Sequence, residues 1–478
     1  MTTKRLQFTD WLPDQPANAG SLNDAKNVYP LGIGYGAFPS SVDFSNAASE
    51  TLNSVFVAKF GAVVEVFAGS ATKLYKLNIG TLSLADVSKS GGYSGDGTWR
   101  FEQFGNVVLA CNDNARLQTW TIGSSTAFSD ASAVAPIAKD IAVVRDFVFA
   151  GNIGVGSEPD KVQWSDINDE TDWVSGSTSQ SDYQIIADGG NVQAITGGEF
   201  GVILLEKSVV RASYVGSPLF FQFDTISNGL GCLEGNSVAQ YGNITFFLSD
   251  DGWYSTDGQT ITNIGLEKID RWFFGRVDLT KLNTMSAAVD PVKNLVVWNY
   301  SDVDGNRRIL IYNWQLQKWS RAETTSDSVG TIATLGESLE SLESILGYTD
   351  IDTMPASLDS RLFIGGKFLF AGTKDDKIVT FTGESIIPQL ITTDVEVGYN
   401  SVATLARPQI DNGTAQVAVA SRRELDDTIE FSTFVPATTE GRCSLRSAGR
   451  YHRFNVQPTG NWTTAMAVDV DVKPQGNR

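Results

Sequence analysis

Short apolar runs, each introduced by a turn, recur along most of this chain. The first are "FGAVVEVFAG" from Phe60 and "FGNVVLAC" from Phe104, and related runs follow as "RDFVFAGN" from Arg145, "EFGVILLE" from Glu199, "YGNITFFLS" from Tyr241 and "GGKFLFAGT" from Gly365. Through the first part of the chain the spacing is about 40–50 residues, which is typical of the blades of a β-propeller. A single blade cannot bury both of its faces, so the pattern repeats until the ring closes. The number of repeats does not decide between six and seven blades.

Three segments depart from the repeat and predict other elements. Residues 10–40 are rich in Pro and Gly, which favours an extended arm with little regular structure. Apolar residues at helical spacing, with Glu between them, predict an amphipathic helix at Leu335, Leu339, Leu342 and Leu346. From residue 391 the repeat stops, and "QVAVASRRELDDTIEFSTFV" and "AMAVDVDVKP" alternate like the strands of a further β domain.

The predicted fold class is therefore all-β: a six- or seven-bladed β-propeller with an additional C-terminal β platform domain and an extended N-terminal arm. The expected organisation is an arm over residues 1–50 that packs on the platform domain, a propeller over 51–390 with a helical insertion near 335–346, and a platform domain over 391–478. The propeller and the platform domain are expected to have separate cores.

Composition narrows the possible functions. The chain has 478 residues, 42% of them hydrophobic, which supports a globular protein, and its net charge of −19 disfavours tight binding to nucleic-acid phosphates. The chain has three cysteines, which are widely spaced and include no CxxC pair. We therefore expect buried free thiols at Cys111, Cys232 and Cys443. We expect no signal peptide, because the N-terminus lacks an apolar core, and no membrane span, because no apolar run approaches the necessary length.

Motifs that suggest chemistry are incomplete. The glycines of "GNIGVG" from Gly151 and of "LGIGYGAF" around Gly34 lack the strand and helix context of a phosphate-binding loop, so both predict turns. The acidic run "SDINDETDW" from Ser165 lacks the Gly and Glu positions of a calcium loop and predicts a solvated loop. His452 is the single histidine, which excludes multi-histidine metal sites and favours a packed or interfacial residue. No catalytic, cofactor-binding or metal residue is therefore predicted.

Three groups of motifs resemble a known family. They are "DWLPDQP", "LNDAKNVYP" and "GYGAFP" near the start, "LESLESILGYTDIDTMPASLDSR" in the middle, and "GRYHRFNV" and "GNWTTAMAVDVDVKPQGNR" at the end. In this order they are similar to the tail-hub or nozzle proteins of tailed bacteriophages, the group that includes the packaged-DNA stabilisation proteins of short-tailed phages.

The resemblance implies a structural virion protein and not an enzyme. Six copies would form a ring below the portal and the head-to-tail adaptor proteins, in contact with tail fibre or needle proteins, after synthesis in the bacterial host cytoplasm. Genomic double-stranded DNA would pass through the lumen without sequence-specific binding, and an acidic wall would repel its phosphates. The alternatives are a propeller glycosidase or depolymerase with a carboxylate or Tyr site in the central funnel, and a carbohydrate-binding protein that recognises the host surface.

Positive charge concentrates near the C-terminus of this acidic chain. Arg and Tyr are enriched at interface cores, so the candidate assembly contacts are Arg442, Arg446, Arg450, Tyr451, His452 and Arg453. The alternative is that these side chains only balance local acids, namely Asp426, Asp427 and Glu430.

Overall fold

A computed structural model describes residues 2–17, 19–95, 98–333 and 368–475 of the chain. Strands account for 56% of the structure and helix for 3%, which confirms the predicted all-β class. The predicted helix at 335–346 lies outside the described residues. The short helical turns that are described are Gly235–Ser237, Asp270–Phe274 and Leu279–Thr284.

Six separate four-stranded sheets form the blades of a β-propeller. The first five blades follow one another along the chain, and the last blade takes its fourth strand from the N-terminal arm. Their strands are Leu52–Phe60, Val63–Ser70, Leu74–Asn78 and Ser83–Asp86 in blade 1; Arg100–Phe104, Val107–Cys111, Gln118–Thr121 and Ser129–Asp130 in blade 2; Ala138–Val144, Phe147–Ile153, Glu158–Trp164 and Asp182–Ile185 in blade 3; Val192–Thr196, Gly201–Leu205, Ser208–Gly216 and Phe220–Asn228 in blade 4; Ala239–Tyr241, Ile244–Leu248, Trp253–Thr256 and Ile261–Asn263 in blade 5; and Ser328–Ala333, Phe368–Lys374, Lys377–Ser385 and Pro39–Asp43 in the last blade.

A further four-stranded unit lies between blade 5 and the last blade and is not a separate sheet. We call it the fused unit, because it continues into the platform sheet described below. Its strands are Ser286–Asp290, Leu295–Ser301, Arg307–Asn313 and Lys318–Glu323. The sequence did not decide between six and seven blades. The structure has six separate sheets and, together with the fused unit, seven four-stranded units around the central channel.

Repeated hairpin sequences connect neighbouring blades. Gln103 begins "QFGN" in blade 2, and its Nε2 donates to the carbonyl of Lys59 in blade 1 at 2.8 Å and to the glycine carbonyl of its own hairpin. Gln240 begins "QYGN" in blade 5, and its Nε2 donates to the carbonyl of Gly197 in blade 4 at 2.6 Å and likewise to its own hairpin. The recurrence of this motif therefore has a structural cause, since each glutamine connects one hairpin to the preceding blade.

The N-terminal arm closes the propeller. Pro39–Asp43 pairs antiparallel with Lys377–Ser385 and becomes the outer strand of the last blade. Just before this strand, the buried ring of Phe38 contacts Phe381 and Phe370, with ring centroids 5.8 and 6.4 Å apart. Strand pairing and aromatic packing thus join the two ends of the propeller, which protects an edge that would otherwise be open.

The platform is a sheet of fourteen strands that contains the fused unit, the arm and the C-terminal strands. Asp24–Lys26 lies at its centre, parallel to Lys318–Glu323 on one side and antiparallel to Gln389–Ile391 on the other. The arm thus contains more regular structure than the Pro- and Gly-rich sequence of residues 10–40 predicted. Its short strands form backbone hydrogen bonds with segments that are distant in sequence. Besides the fused unit, the sheet contains Thr2–Gln7, Asp24–Lys26, Val28–Pro30, Tyr35–Ala37, Gln389–Ile391, Val395–Asp411, Thr414–Arg422, Val435–Pro436, Cys443–Thr459 and Thr464–Pro474.

One hydrophobic core joins the platform to the propeller. A single cluster of buried side chains includes Trp11 of the arm, Trp253 of blade 5, Trp298 of the fused unit and Phe454 of the C-terminal strands. The arm approaches the last strand so closely that a Cβ at Gly34 would lie 2.0 Å from a backbone oxygen, and the φ of this glycine is +71°. The expectation of separate cores is therefore wrong, because the arm brings both parts into one apolar interior.

Candidate functional site

The central channel of the propeller is the first candidate site. It encloses a cavity of about 500 Å³, lined by the first strands of all seven units and by the turns that precede them. Its polar lining residues include Asn53, Thr98, Arg100, Glu102, Asp140, Thr196, Asn236, Gln240, Ser286 and Thr331.

Two carboxyl groups and one guanidinium meet in this channel. Arg100 and Glu102 are two residues apart on the first strand of blade 2, so their side chains share one face. Arg100 Nη2 donates to Asn236 Oδ1 at 2.8 Å, and Arg100 Nε lies 3.7 Å from Asp140 Oδ1. Asp140 Oδ2 accepts the backbone N–H of Ile195 at 2.7 Å, which connects blade 3 to blade 4. Both oxygens of Asp140 thus have partners within the protein, whereas Glu102 lines the cavity.

The pKa values of both carboxyl groups are raised. Burial raises the pKa of Glu102 to about 8, and the nearby charge of Asp140 adds to this effect. Burial also raises the pKa of Asp140, while Arg100 and backbone N–H groups oppose the rise. Glu102 lines the cavity and is half-buried within the channel. A carboxyl group with a raised pKa near a second carboxyl group is one chemical requirement for acid catalysis of glycoside hydrolysis.

The cavity of about 500 Å³ is in the size range of small-molecule pockets, about 300–1,000 Å³. A cavity of this volume does not hold a DNA duplex, whose major groove alone is about 12 Å wide.

The C-terminal arginines form the second candidate site. Over residues 443–449, at the start of the strand Cys443–Thr459, burial alternates, so that Cys443 and Leu445 are buried while Arg446 is exposed, and Arg442 is exposed just before the strand. Arg442, Arg446 and Arg450 are four residues apart, and we call these three the arginine face.

Two members of the arginine face have surface partners. Arg442 Nη1 lies 3.1 Å from Glu440 Oε2, and Arg450 Nε donates to Glu396 Oε1 at 2.7 Å. The guanidinium of Arg450 also lies over the ring of Tyr451, 5.1 Å from its centroid. No ion pair joins Arg446 to any residue in the described ranges.

His452 and Arg453 lie inside the subunit. His452 is fully buried, with Nε2 2.8 Å from Ser401 Oγ and Nδ1 2.6 Å from Ser421 Oγ. Burial lowers the pKa of His452, so the ring is neutral between two hydroxyl groups. His452 and Arg453 are two of the six candidate assembly contacts. Their polar atoms bind residues of the same chain, because its own strands enclose them.

Sequence reasoning missed the buried charge cluster that surrounds Arg453. Arg453 Nε and Nη2 donate to the two oxygens of Asp394 at 3.0 and 2.8 Å, and Arg422 also donates to Asp394. All three side chains are at most 10% exposed. No local pattern identifies the cluster, since its members come from three different strands or their ends.

The acidic residues that could have balanced these arginines do not contact them in the described structure. Asp427 Oδ2 accepts the backbone N–H groups of Arg423 and Glu424, both at 3.0 Å. Asp426 and Glu430 are exposed and form no ion pair with any described residue. The charges of Arg442, Arg450 and Arg453 are instead balanced by Glu440, Glu396 and Asp394.

The remaining motifs have structural places. Gly154 and Gly156 lie in the turn after Phe147–Ile153, and Gly34 lies in the turn before Tyr35–Ala37, as expected for turn glycines. The acidic run from Ser165 joins the third and fourth strands of blade 3, and Asp166 Oδ1 accepts the N–H of Gln180 at 2.7 Å. The three cysteines are buried and free.

Within residues 2–17, 19–95, 98–333 and 368–475, no group of three or more His, Cys, Asp or Glu side chains is placed to hold a metal ion. In the same ranges, no helix is long and apolar enough to cross a membrane.

No protein-family model matches this chain, and no curated protein matches it. Among solved structures, the chain is similar to the WD40 domain of Neurospora crassa Pan2, with 6% identity, a TM-score of 0.40, and coverage of 72% of this chain and 97% of that one. It is also similar to the WD40 domain of Toxoplasma gondii coronin, with 8% identity, a TM-score of 0.40, and coverage of 75% and 87%. We draw no conclusion about function from these similarities, since strand pairing already establishes the propeller.

Proposed function

We propose that this chain is a structural subunit of the tail of a bacteriophage. Six copies would form a ring-shaped nozzle or hub below the portal and adaptor, which retains packaged DNA and conducts it during ejection. The protein would be made in the bacterial cytoplasm and would act in the virion, where it also contacts tail fibre or needle proteins. It would have no hydrolytic activity.

The observation that supports this proposal is where the resembling motifs lie. Motifs from the two ends of the chain meet in the platform sheet, because Tyr35 of "GYGAFP" pairs with Ala465 of "GNWTTAMAVDVDVKPQGNR". In "DWLPDQP", Asp14 accepts the N–H groups of Arg271 and Trp272. The middle motif lies outside the described residues. Motifs that build a rigid platform suit a building block of a larger assembly.

Charge and channel size agree with a passage between copies. The net charge of −19 makes a wall formed by several copies repel phosphates at close range, about 8–10 Å at physiological salt. Since duplex DNA does not fit inside one propeller, a conduit requires a ring of subunits.

The test is electron microscopy of the purified protein, together with virions of a phage that encodes it. We expect six-fold rings in the images and the protein in the tail. Particles assembled without it should lose their DNA. Virions that lack the protein and retain their DNA normally would contradict the proposal.

A second candidate function is a propeller glycosidase or a carbohydrate-binding protein. The observation that favours it is that Glu102, whose pKa burial raises to about 8, lines the channel together with Asp140 and the stacked rings of Phe56 and Phe101, whose centroids are 5.5 Å apart. The test is the release of reducing ends from bacterial surface polysaccharides by the parent and by Glu102→Gln. Hydrolysis by the parent that Glu102→Gln loses would place this function first.

A further inference from the structure

We propose that a rigid acidic arm of one copy binds the arginine face of the next copy. The acidic arm is the segment 423–434, between strands Thr414–Arg422 and Val435–Pro436. This inference rests on the proposed ring and identifies the two surfaces that would join its subunits.

The chain holds the acidic arm in place from both ends. At its start, Arg422 Nη1 donates to the carbonyl of Leu425 and also to that of Asp427, while its other amino group pairs with the buried Asp394. Near its end, the N–H of Ser432 donates to the carbonyl of Val419 at 3.0 Å, and its Oγ accepts from the N–H of the same residue at 3.1 Å. A segment held in this way loses little conformational entropy when it binds.

Three acidic side chains of the acidic arm are exposed to solvent. Glu424, Asp426 and Glu430 are exposed and form no ion pair with any residue that the structure describes. Between them, Leu425 is 46% exposed and Ile429 is 39% exposed. An ordered surface of acids interleaved with apolar side chains has the composition of a docking element, since apolar contacts can bury area while the charges select the partner.

The arginine face has the complementary chemistry. It presents three guanidinium groups on a chain whose net charge is −19, and planar guanidinium groups pair with carboxylates through two hydrogen bonds. The pairs that Arg442 and Arg450 make within the subunit are exposed, and exposed pairs contribute only about 0–1 kcal/mol. A carboxylate of another copy can therefore replace Glu440 or Glu396 in these pairs. Arg446 forms no ion pair with a described residue, so none is broken when it binds another copy.

The two surfaces are different patches of one chain and do not pair with each other within it. A contact between unlike patches is heterologous, so each copy offers both halves and the chain of contacts closes into a ring when the rotation permits. A second copy is thus the occupant that the charges favour, because the same sequence supplies the acids and the arginines.

The experiment is a reciprocal charge reversal. One variant carries Arg442→Glu and Arg446→Glu, and the other carries Asp426→Arg and Glu430→Arg. Sedimentation velocity over a concentration series measures assembly, and near-ultraviolet circular dichroism checks the fold. We expect each variant alone to need at least about ten-fold more protein to form rings, which corresponds to about 1.4 kcal/mol per contact. An equimolar mixture should assemble again, because each reversed surface then meets its complement in an alternating ring.

A matched control reverses two exposed charges of blade 4, Glu199→Arg and Lys207→Glu, and should assemble like the parent. If a reversal variant fails to fold, Arg446→Gln and Glu430→Gln make the same comparison with a smaller effect. Reversal variants that assemble like the parent, or a mixture that does not recover, would overturn this inference while the proposed function stands. Parent protein that stays monomeric would also overturn this inference. The proposed function would then be tested separately, by whether virions contain the protein.

Discussion

At the scale of single residues, Glu102 and Asp140 show how neighbours assign different roles to the same chemical group. Asp140 accepts a backbone N–H from the adjacent blade and lies near Arg100, so its charge is compensated. Glu102 lines the cavity, and burial together with the nearby charge of Asp140 raises its pKa to about 8, while a backbone hydrogen bond from Gln103 opposes the rise. These neighbours bring the pKa of Glu102 close to neutral pH.

The first prediction concerns the pH dependence of Glu102. An unfolded glutamate has a pKa of about 4.3, so between that pH and about 8 the native state binds more protons than the unfolded state. The free energy of unfolding should therefore fall as pH rises through this window. Glu102→Gln removes the titration, and we expect its stability relative to the parent to improve by about 2 kcal/mol from pH 5 to pH 9, after allowance for water in the channel.

Urea unfolding at pH 5, 7 and 9 measures this change. The control is Glu199→Gln, at an exposed hairpin tip of blade 4, which should leave the pH dependence of the parent intact. If Glu102→Gln and the parent show the same pH dependence, Glu102 does not carry the shift.

The second prediction concerns the buried cluster around Asp394. Asp394→Asn keeps the size of the side chain but leaves Arg422 and Arg453 without their shared counter-charge. Because an unpaired buried charge is costly, we expect a loss of about 3–5 kcal/mol in the free energy of unfolding. Chemical denaturation measures it, with Glu396→Gln at the exposed partner of Arg450 as a control that should lose less than about 1 kcal/mol. Equal losses in both variants would contradict the assigned burial.

At the scale of elements, the propeller is closed by a strand that is distant in sequence from its partners. Pro39–Asp43 completes the last blade beside Lys377–Ser385, and Asp24–Lys26 connects the fused unit to the C-terminal strands. The arm therefore has two roles, since it closes one sheet and lies in the middle of another. Strand addition of this kind supplies backbone hydrogen bonds that the blade lacks on its own.

The third prediction tests this closure. Phe38→Ala removes a buried ring that contacts Phe370 and Phe381, and a buried Phe→Ala change typically costs about 3–5 kcal/mol. We expect a loss of that size in urea unfolding and faster proteolysis near the N-terminus. Ile33→Ala is the matched control in the same arm, because this residue is 73% exposed and should change stability by less than about 0.5 kcal/mol. Unchanged stability of Phe38→Ala would mean that the arm does not hold the last blade closed.

At the scale of the whole molecule, the continuous core makes the propeller and the platform interdependent. Trp253 and Trp298 of the propeller side and Phe454 of the platform side are buried in the same cluster. Their surfaces would be exposed to water if the two parts separated. This coupling suits a rigid building block, because movement of one part is transmitted to the other through packed side chains.

The fourth prediction is that the propeller does not fold without the C-terminal strands. A chain that ends at residue 388 lacks six strands of the platform sheet and uncovers apolar side chains of blade 5 and of the fused unit. We expect this truncated protein to be aggregated or to lack a cooperative transition and a near-ultraviolet circular dichroism signal. A soluble truncated protein that unfolds cooperatively would show that the propeller has a sufficient core of its own.

The sequence determined the elements whose signals are local. Short apolar runs after turns, as in "FGNVVLAC" from Phe104, recur at intervals of about 40–50 residues and predicted the blades. Alternation in the C-terminal residues predicted platform strands such as Thr414–Arg422. Turn glycines such as Gly34 were also predictable, because a left-handed backbone conformation is a property of one residue and its neighbours.

Only the tertiary structure decided which distant residues became partners. Asp394 lies 59 positions before Arg453, yet their pairing places that arginine inside the subunit and leaves Arg446 on the surface. Glu102 belongs to an ordinary strand, and its pKa is raised by burial in the channel and by Asp140 of the next blade. The physical reason is that periodicity records which face of an element is apolar, whereas burial, ion pairing and pKa depend on the groups that folding brings against that face.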